Sequence, residues 1–316
     1  MGRPRPGAGG RLTRIAVLGA GAMGRTHAAA YATMADVELV DVPPRDSGRV
    51  RAVIEGSEVD AIDVCLPTPL HARFAIAALA HGKHVFCETP MAIDLGEAQA
   101  MRDAARKAGR LLQVGLLNRS IATYRHLKQV ADAGTCGRLL SLSTWRLGSY
   151  LRPDAPDRRA HYSDPTTELM TFDLDFASWL IGKPARVSAA GTGEVVALLD
   201  WGDGRSARIA ASGLMPTGLP FRAGFRALFE GACFELQQTF EAGPPRIDFT
   251  AAIGPAPPQP VTLSGSNPYA IELRRFADCI AGKSDPALLD AERAIEALEL
   301  SLAVQQALAR GGTVAL

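Results

Sequence analysis

The chain has 316 residues, enough for two hydrophobic cores, since single cores rarely grow far beyond roughly 250 residues. Its 34 lysines and arginines stand against 33 acids, a formal charge of +1, which points away from nucleic acid, anionic membranes and polyanionic partners and towards a small-molecule ligand. No apolar run approaches the roughly 20 residues that span a bilayer, and the opening MGRPRPGAGGRLTR lacks the apolar core of a signal peptide, so a cytoplasmic protein with a flexible segment over residues 1–11 is expected.

In chain order, RIAVL (14–18) reads as a strand, GAGAMG as a glycine turn and RTHAAAYATMA as a helix. VELVDV (37–42), VDAIDVCLP (59–67), KHVFCE (83–88) and LLQVGLL (111–117) supply further strands. HARFAIAALAHG and LGEAQAMRDAARKAG are helices that end on glycine. Nearly apolar strands alternating with helices imply a parallel sheet covered on both faces, so residues 12–117 read as one doubly wound α/β domain. After Asn118 a helix, ATYRHLKQVADAG, leads into the alternating strand LLSLSTWRLGSY. A polar loop then precedes a helix over about 167–181. Short strand-like segments between residues 185 and 263, separated by glycine and proline turns, predict a large, mostly antiparallel open sheet. Two amphipathic helices, YAIELRRFADCIAG and LDAERAIEALELSLAVQQALARG, follow it. Residues 118–316 form the second, α+β domain in this reading, with the C-terminal helices packing back on the first. Cys65, Cys87, Cys136, Cys233 and Cys279 show no CxxC pair and no metal-like spacing to histidine, so reduced thiols and no metal site are expected.

Gly19, Gly21 and Gly24, with Ala22 and Met23 between the last two, form GxGxxG between a strand and a helix, the arrangement that cradles a dinucleotide pyrophosphate. A carboxylate about 20 residues beyond the motif would hold the adenosine ribose, but Pro44 stands at that place. Arg45 could meet a 2′-phosphate, which tilts the cofactor choice between NAD and NADP towards NADP; a solvated surface arginine is the alternative.

The stretches GAGAMGRTH, VELVDV, VDAIDVCLPTPLHARFA, GKHVFCETPMA, QVGLLNRS, DLDFASWLIGKP and NPYAIELRRFADCIAGK together resemble the glucose-fructose oxidoreductase, inositol dehydrogenase and MocA (Gfo/Idh/MocA) family. The resemblance implies a Rossmann domain, a C-terminal α/β domain with a large open sheet through which many members oligomerise, and hydride transfer between NAD(P) and a hydroxyl or carbonyl of a sugar, cyclitol or similar molecule. It also implies cofactor contacts from Pro67, Thr68, His71 and Glu88. Arg119 lies where members place residues near substrate, a structural ion pair being its other reading. His27 resembles a position lining the cofactor pocket, where packing or orientation is its expected role.

Three departures bear on function. Glu88-Thr89-Pro90 replaces the family's Glu-Lys-Pro, whose lysine contacts the reacting oxygen; a threonine hydroxyl supplies neither its charge nor a usable acid or base near neutral pH. Glu168-Leu169-Met170-Thr171-Phe172 replaces Asp-x-x-x-His; the spacing of four puts Glu168 and Phe172 on one helical face, so the carboxylate persists in lengthened form while phenylalanine takes the imidazole's place. The crossover from Val42 to Val59 is short, leaving room for one helix in RDSGRVRAVIEG. Glu168, Thr89, His161 and Tyr162 are the candidate catalytic residues, and Arg119 and Phe172 the candidate substrate contacts. Two functions follow: an NAD(P)-dependent oxidoreductase using Glu168 with His161 or Tyr162, or a redox-silent relative, either a non-redox enzyme such as an eliminase or isomerase or a binding subunit.

Overall fold

The structure, a computed structural model, describes residues 12–40, 47–152, 154, 164–241 and 243–316. The chain divides into two compact units, residues 1–120 with 266–295 and residues 121–265 with 296–316.

The first unit opens with β1 (Thr13–Leu18), α1 (Ala22–Tyr31), β2 (Val37–Val40), α2 (Ser47–Glu55), β3 (Ala61–Val64), α3 (His71–Ala80), β4 (His84–Cys87), α4 (Leu95–Ala108) and β5 (Leu112–Val114). The strands are parallel and stand in the order β2-β1-β3-β4-β5. Every residue of β3 and β5 is buried, as strands covered on both faces must be, which is why their sequences are almost wholly apolar. A single helix, α2, makes the short crossover, as the twelve-residue span allowed. Because β1 lies between β2 and β3, the chain winds away from it in both directions. The carboxyl ends of β1 and β3 therefore frame the crevice in which sheets of this kind bind ligands. Asp94 caps α4 by accepting from Glu97 N at 2.8 Å, and Gly109, at φ +61°, ends it.

The second unit begins with α5 (Ala122–Ala133), β6 (Leu139–Leu147), α6 (Pro165–Glu168) and α7 (Met170–Ile181). It continues through β7 (Arg186–Ala190), β8 (Val195–Asp200), β9 (Ser206–Ser212), β10 (Phe221–Phe229), β11 (Ala232–Phe240), β12 (Arg246–Ile253) and β13 (Gln259–Pro260). The segment 266–295 belongs to the first unit and contains α8 (Pro268–Ile280); α9 (Ala291–Arg310) and β14 (Thr313–Ala315) close the chain. The strands form one nine-stranded sheet in the order β13-β12-β11-β10-β6-β9-β8-β7-β14, antiparallel at every junction except β6 with β9. Its core is aromatic: Tyr124 on α5, Phe176 on α7 and Phe225 on β10 meet with ring centres 4.7, 5.1 and 5.6 Å apart.

The single helix expected over 167–181 is two. It breaks at Leu169 (φ −115°, ψ −49°), where the Thr171 hydroxyl donates to the Thr167 carbonyl at 2.7 Å and lies 2.8 Å from the Ser301 hydroxyl. A threonine that bonds back to the preceding turn competes with the backbone ladder and bends it. Glu168 thus ends one segment and Phe172 lies in the next.

Candidate functional site

At Leu18, β1 runs into the glycine turn. Gly19 has φ +126°, and a Cβ there would meet the Cys65 carbonyl oxygen at 2.3 Å. A Cβ on Gly24 would lie 1.8 Å from the Gly19 carbonyl oxygen, so only glycine lets α1 seat against the turn. Gly21 is the opposite case: among the described residues nothing lies within 4 Å of where its Cβ would stand. There α1 begins, with no side-chain cap and no acid in its first turn. The free N–H groups of Ala22 and Met23 sit at the positive end of a helix behind an open approach, a fit for a pyrophosphate. Pro67, beyond the end of β3, opens a 3-10 turn over Thr68–Leu70 that leads into α3.

Behind the turn lies a buried cation. His27 on α1 is wholly buried. Its Nδ1 is 2.9 Å from Asp63 Oδ2 and 3.2 Å from Cys65 Sγ, and its Nε2 is 2.8 Å from Glu88 Oε1, an ion-pair contact bent away from hydrogen-bond geometry. A ring with a carboxylate at each nitrogen is satisfied only as imidazolium, because a neutral ring would turn a lone pair on one of the anions. Burial opposes the charge, but the charge of Asp63 and the contacts from Asp63, Cys65 and Glu88 outweigh it and hold the pKa far above the imidazole range. Burial and the Asp63 charge push the Cys65 thiol up. His27, Asp63 and Cys65 offer ligand atoms within 4.8 Å of one another. Their 2.9 and 3.2 Å contacts are hydrogen-bond lengths, however, shorter than the roughly 3.3–3.7 Å edges of a tetrahedral zinc site with N, O and S ligands. They form a hydrogen-bonded network rather than a metal cradle.

Glu88 opens the turn Glu88-Thr89-Pro90. Its Oε2 accepts from Thr89 N at 3.1 Å, the Thr89–Pro90 peptide is cis, and the Thr89 hydroxyl donates to the Gly115 carbonyl at 2.8 Å. That hydroxyl has committed its proton to the backbone, so it ties the turn down and is not set to protonate a substrate. His71 is 1% exposed, with Nδ1 2.8 Å from the Pro90 carbonyl oxygen and Nε2 2.7 Å from that of Leu66; burial draws its pKa down against the pull of these carbonyls. It braces the same turn from within.

The remaining candidates in the described residues are Arg119, Glu168 and Phe172. Arg119 belongs to the first unit, is 4% exposed and donates from Nη1 to the Leu288 carbonyl at 2.9 Å, anchoring the 3-10 turn over Pro286–Leu289. Glu168 and Phe172 belong to the second unit and are half-buried. The Arg146 guanidinium on β6 lies 4.7 Å from the Phe172 ring centre, and its Nε donates to Asp173 Oδ2 at 2.9 Å. Tyr124, close to both charges, is pushed up by burial. Around Phe172 there is thus an aromatic ring faced by a guanidinium that pairs with a buried carboxylate. Arg45, His161 and Tyr162 lie outside the described residues. Sequence reasoning missed Asp63. The signal was there: a lone carboxylate in the apolar run AIDVCL needs a buried partner.

Residues 13–116 match the model of the oxidoreductase family with an NAD-binding Rossmann fold, GFO_IDH_MocA. Similar relatives include inositol 2-dehydrogenase 2 of Saccharopolyspora erythraea, 30% identical over 196 residues that make up 56% of each chain. Levoglucosan dehydrogenase of Pseudarthrobacter phenanthrenivorans is 28% identical over 209 residues, 55% of this chain and 53% of its own. The chain thus spans about half the length of the curated relatives it matches. Among solved structures, the aldose-aldose oxidoreductase of Caulobacter crescentus, complexed with glycerol, superposes with a TM-score of 0.82 at 21% identity over 97% of this chain and 100% of that one. UDP-N-acetylglucosamine 3-dehydrogenase of Acidithiobacillus ferrooxidans gives 0.76 at 23% identity over 94% and 98%. The glycine turn, the parallel sheet that carries it and these likenesses agree: residues 13–116 form an NAD-binding Rossmann fold of the Gfo/Idh/MocA oxidoreductase type, and the whole chain shares the fold of the solved structures.

Proposed function

We propose that the protein binds NAD(P) and acts as an oxidoreductase on a hydroxyl or carbonyl group of a sugar-like or other small polar molecule. The observation that carries this reading is the open, uncapped start of α1 at Gly21, held by two positions where only glycine fits. The dinucleotide, when bound, supplies the hydride acceptor or donor. Gly19, Gly21, Ala22, Met23 and Gly24 would hold its pyrophosphate, with Pro67, Thr68 and Glu88 beside them, and Arg45 would favour a 2′-phosphate and so NADP. Relatives that are inositol and levoglucosan dehydrogenases support a cyclitol or sugar-like substrate. Glu168 is the group we assign to proton transfer, assisted by His161 or Tyr162, because Thr89 and Phe172 offer no titrating group.

A second reading, a redox-silent relative, is favoured by the Thr89 hydroxyl bound to Gly115 and by the Arg146 guanidinium set over Phe172 and paired with Asp173. Titration with NADH and NADPH, followed by tryptophan quenching, separates the two when coupled to a search for change at the nicotinamide absorbance band across cyclitols, anhydrosugars and aldoses. Binding with turnover supports the first reading, and binding without turnover the second. Absence of binding removes the first. The Thr89→Lys, Phe172→His double variant should raise hydride transfer if the site is still a redox site. We also propose self-association through the exposed face of the nine-stranded sheet, where Leu198 and Leu228 are 48% and 42% exposed; sedimentation at several concentrations checks it.

A further inference from the structure

The geometry points to a role for His27 more specific than the packing or orientation expected from its sequence. We propose that His27 is a positioning residue: a buried cross-link that fixes the Glu88 carboxylate, and with it the Glu88-Thr89-Pro90 turn, relative to the glycine turn. Its two ring nitrogens lie on opposite edges of a rigid ring and each faces a carboxylate from a different strand end. Nδ1 is 2.9 Å from Asp63 of β3, and Nε2 is 2.8 Å from Glu88, just beyond β4. Asp63 and Glu88 both pair with this one ring. The Glu88 oxygen not facing His27 accepts from Thr89 N at 3.1 Å, and Thr89 in turn is tied to Gly115. On its other side the ring is carried by α1, whose first residues follow Gly21, and it touches Cys65, whose carbonyl oxygen abuts Gly19. A shift of the glycine-turn helix therefore carries the Glu88 carboxylate with it.

The environment makes the link a permanent one. Phe86 and Tyr269 wall the ring at centre distances of 5.7 and 5.9 Å. The titratable groups that face this cluster are Asp63 and Cys65 from β3 and the residue after it, Cys87 and Glu88 from the end of β4, Tyr31 from α1 and Glu272 from α8. His71 on α3 also faces Glu88, but burial draws its pKa down and both its nitrogens are turned to backbone carbonyls; the others are acids or neutral hydrogen-bonding groups, so the His27 imidazolium is the cation that the two carboxylates share. Removing the ring would leave Asp63 and Glu88 sharing a buried space with no cation, and one of them must then take up a proton or move.

Two variants test this, by a readout that needs no ligand and one that rests on the dinucleotide reading. In Glu88→Gln, which keeps the His27–Asp63 pair, and in His27→Gln, the Thr89 amide should exchange with solvent roughly tenfold faster or more, while strand amides of β1 and β3 keep their protection in Glu88→Gln. Wild type should bind NADH or NADPH equally across neutral pH. His27→Gln should bind roughly tenfold more weakly, and more weakly still as pH rises and the stranded carboxylates ionise, because misplacing an aligned group by a fraction of an ångström is felt at the ligand. Unchanged Thr89 exchange in Glu88→Gln overturns the proposal, and so does a His27→Gln protein that loses thermal stability but keeps wild-type affinity and pH profile. If wild type binds neither dinucleotide, the reading of the glycine turn fails, and the exchange data alone decide the role of His27. If His27→Gln does not fold, Glu88→Gln decides it.

Discussion

The Thr89 hydroxyl and the Gly115 carbonyl are 2.8 Å apart, the hydroxyl donating, across the loops that follow β4 and β5. Replacing Thr89 with valine keeps the shape and removes the bond, leaving the carbonyl of buried Gly115 short of a donor. The expected loss is about 1 kcal/mol of stability, measured by urea unfolding. Any hydride transfer that wild type shows should survive within a few-fold, because the hydroxyl serves the backbone. A loss of turnover by orders of magnitude without a matching change in stability would return Thr89 to the chemistry.

Gly21 and Gly24 should answer alanine in opposite ways. At Gly24 the new methyl group would lie 1.8 Å from the Gly19 carbonyl oxygen, so α1 must back away from the turn, with a cost of about 2–4 kcal/mol seen in the melting temperature. At Gly21 the φ is −69° and the space is open, so stability should hold within about 0.5 kcal/mol. Dinucleotide affinity should nonetheless drop, since the methyl group stands where a pyrophosphate would approach.

His84 gives the protein an acid-sensitive point at the start of β4. Burial, helped by the charge of Arg110, pushes its pKa down to about 4 from 6.5, and its Nδ1 accepts from Leu111 N at 3.1 Å, which only the neutral ring can do. The folded-state pKa lies below the unfolded one, so this contribution is present above pH 6.5 and is lost as pH falls towards 4. Partial exposure screens the effect to on the order of 1–2 kcal/mol. Unfolding curves across that window should show wild type losing this much more than His84→Gln.

Arg146 and Asp173 form a pair in which the side chains are 11% and 1% exposed. Arg146→Met strands a buried carboxylate and should cost about 3 kcal/mol, while the Arg146→Met, Asp173→Asn double variant should recover a good part of the loss. A double-mutant cycle with no coupling would show that the pair adds nothing to the second unit's stability.

Much of the architecture was legible because its causes are local. Apolar runs broken by glycine turns marked β1, β3, β4 and β5, and the capped, amphipathic stretch from Leu95 to Ala108 marked α4. What escaped depended on distant partners. The break at Leu169 follows from a Thr171 hydroxyl that reaches both Thr167 and Ser301, a contact 130 positions along the chain. The strand at Thr313–Ala315 is three residues long and exists because Ser188, Val187 and Arg186 of β7 offer it an edge. The glycine turn was readable for the same local reason as the strands. The network around His27 was not, since Asp63, Cys65 and Glu88 meet it only once three strands are side by side.

The ends of the nine-stranded sheet carry a consequence for solubility. On one side it stops at β13, two residues long and finishing on Pro260, which has no N–H to offer; on the other it stops at the three-residue β14. A long, regular border would be a template for chains to stack edge to edge, whereas β13 pairs only with Thr250 and Ala251 of β12 and puts a proline in the ladder. That border is therefore a poor starting point for chains that would stack edge to edge into fibrils.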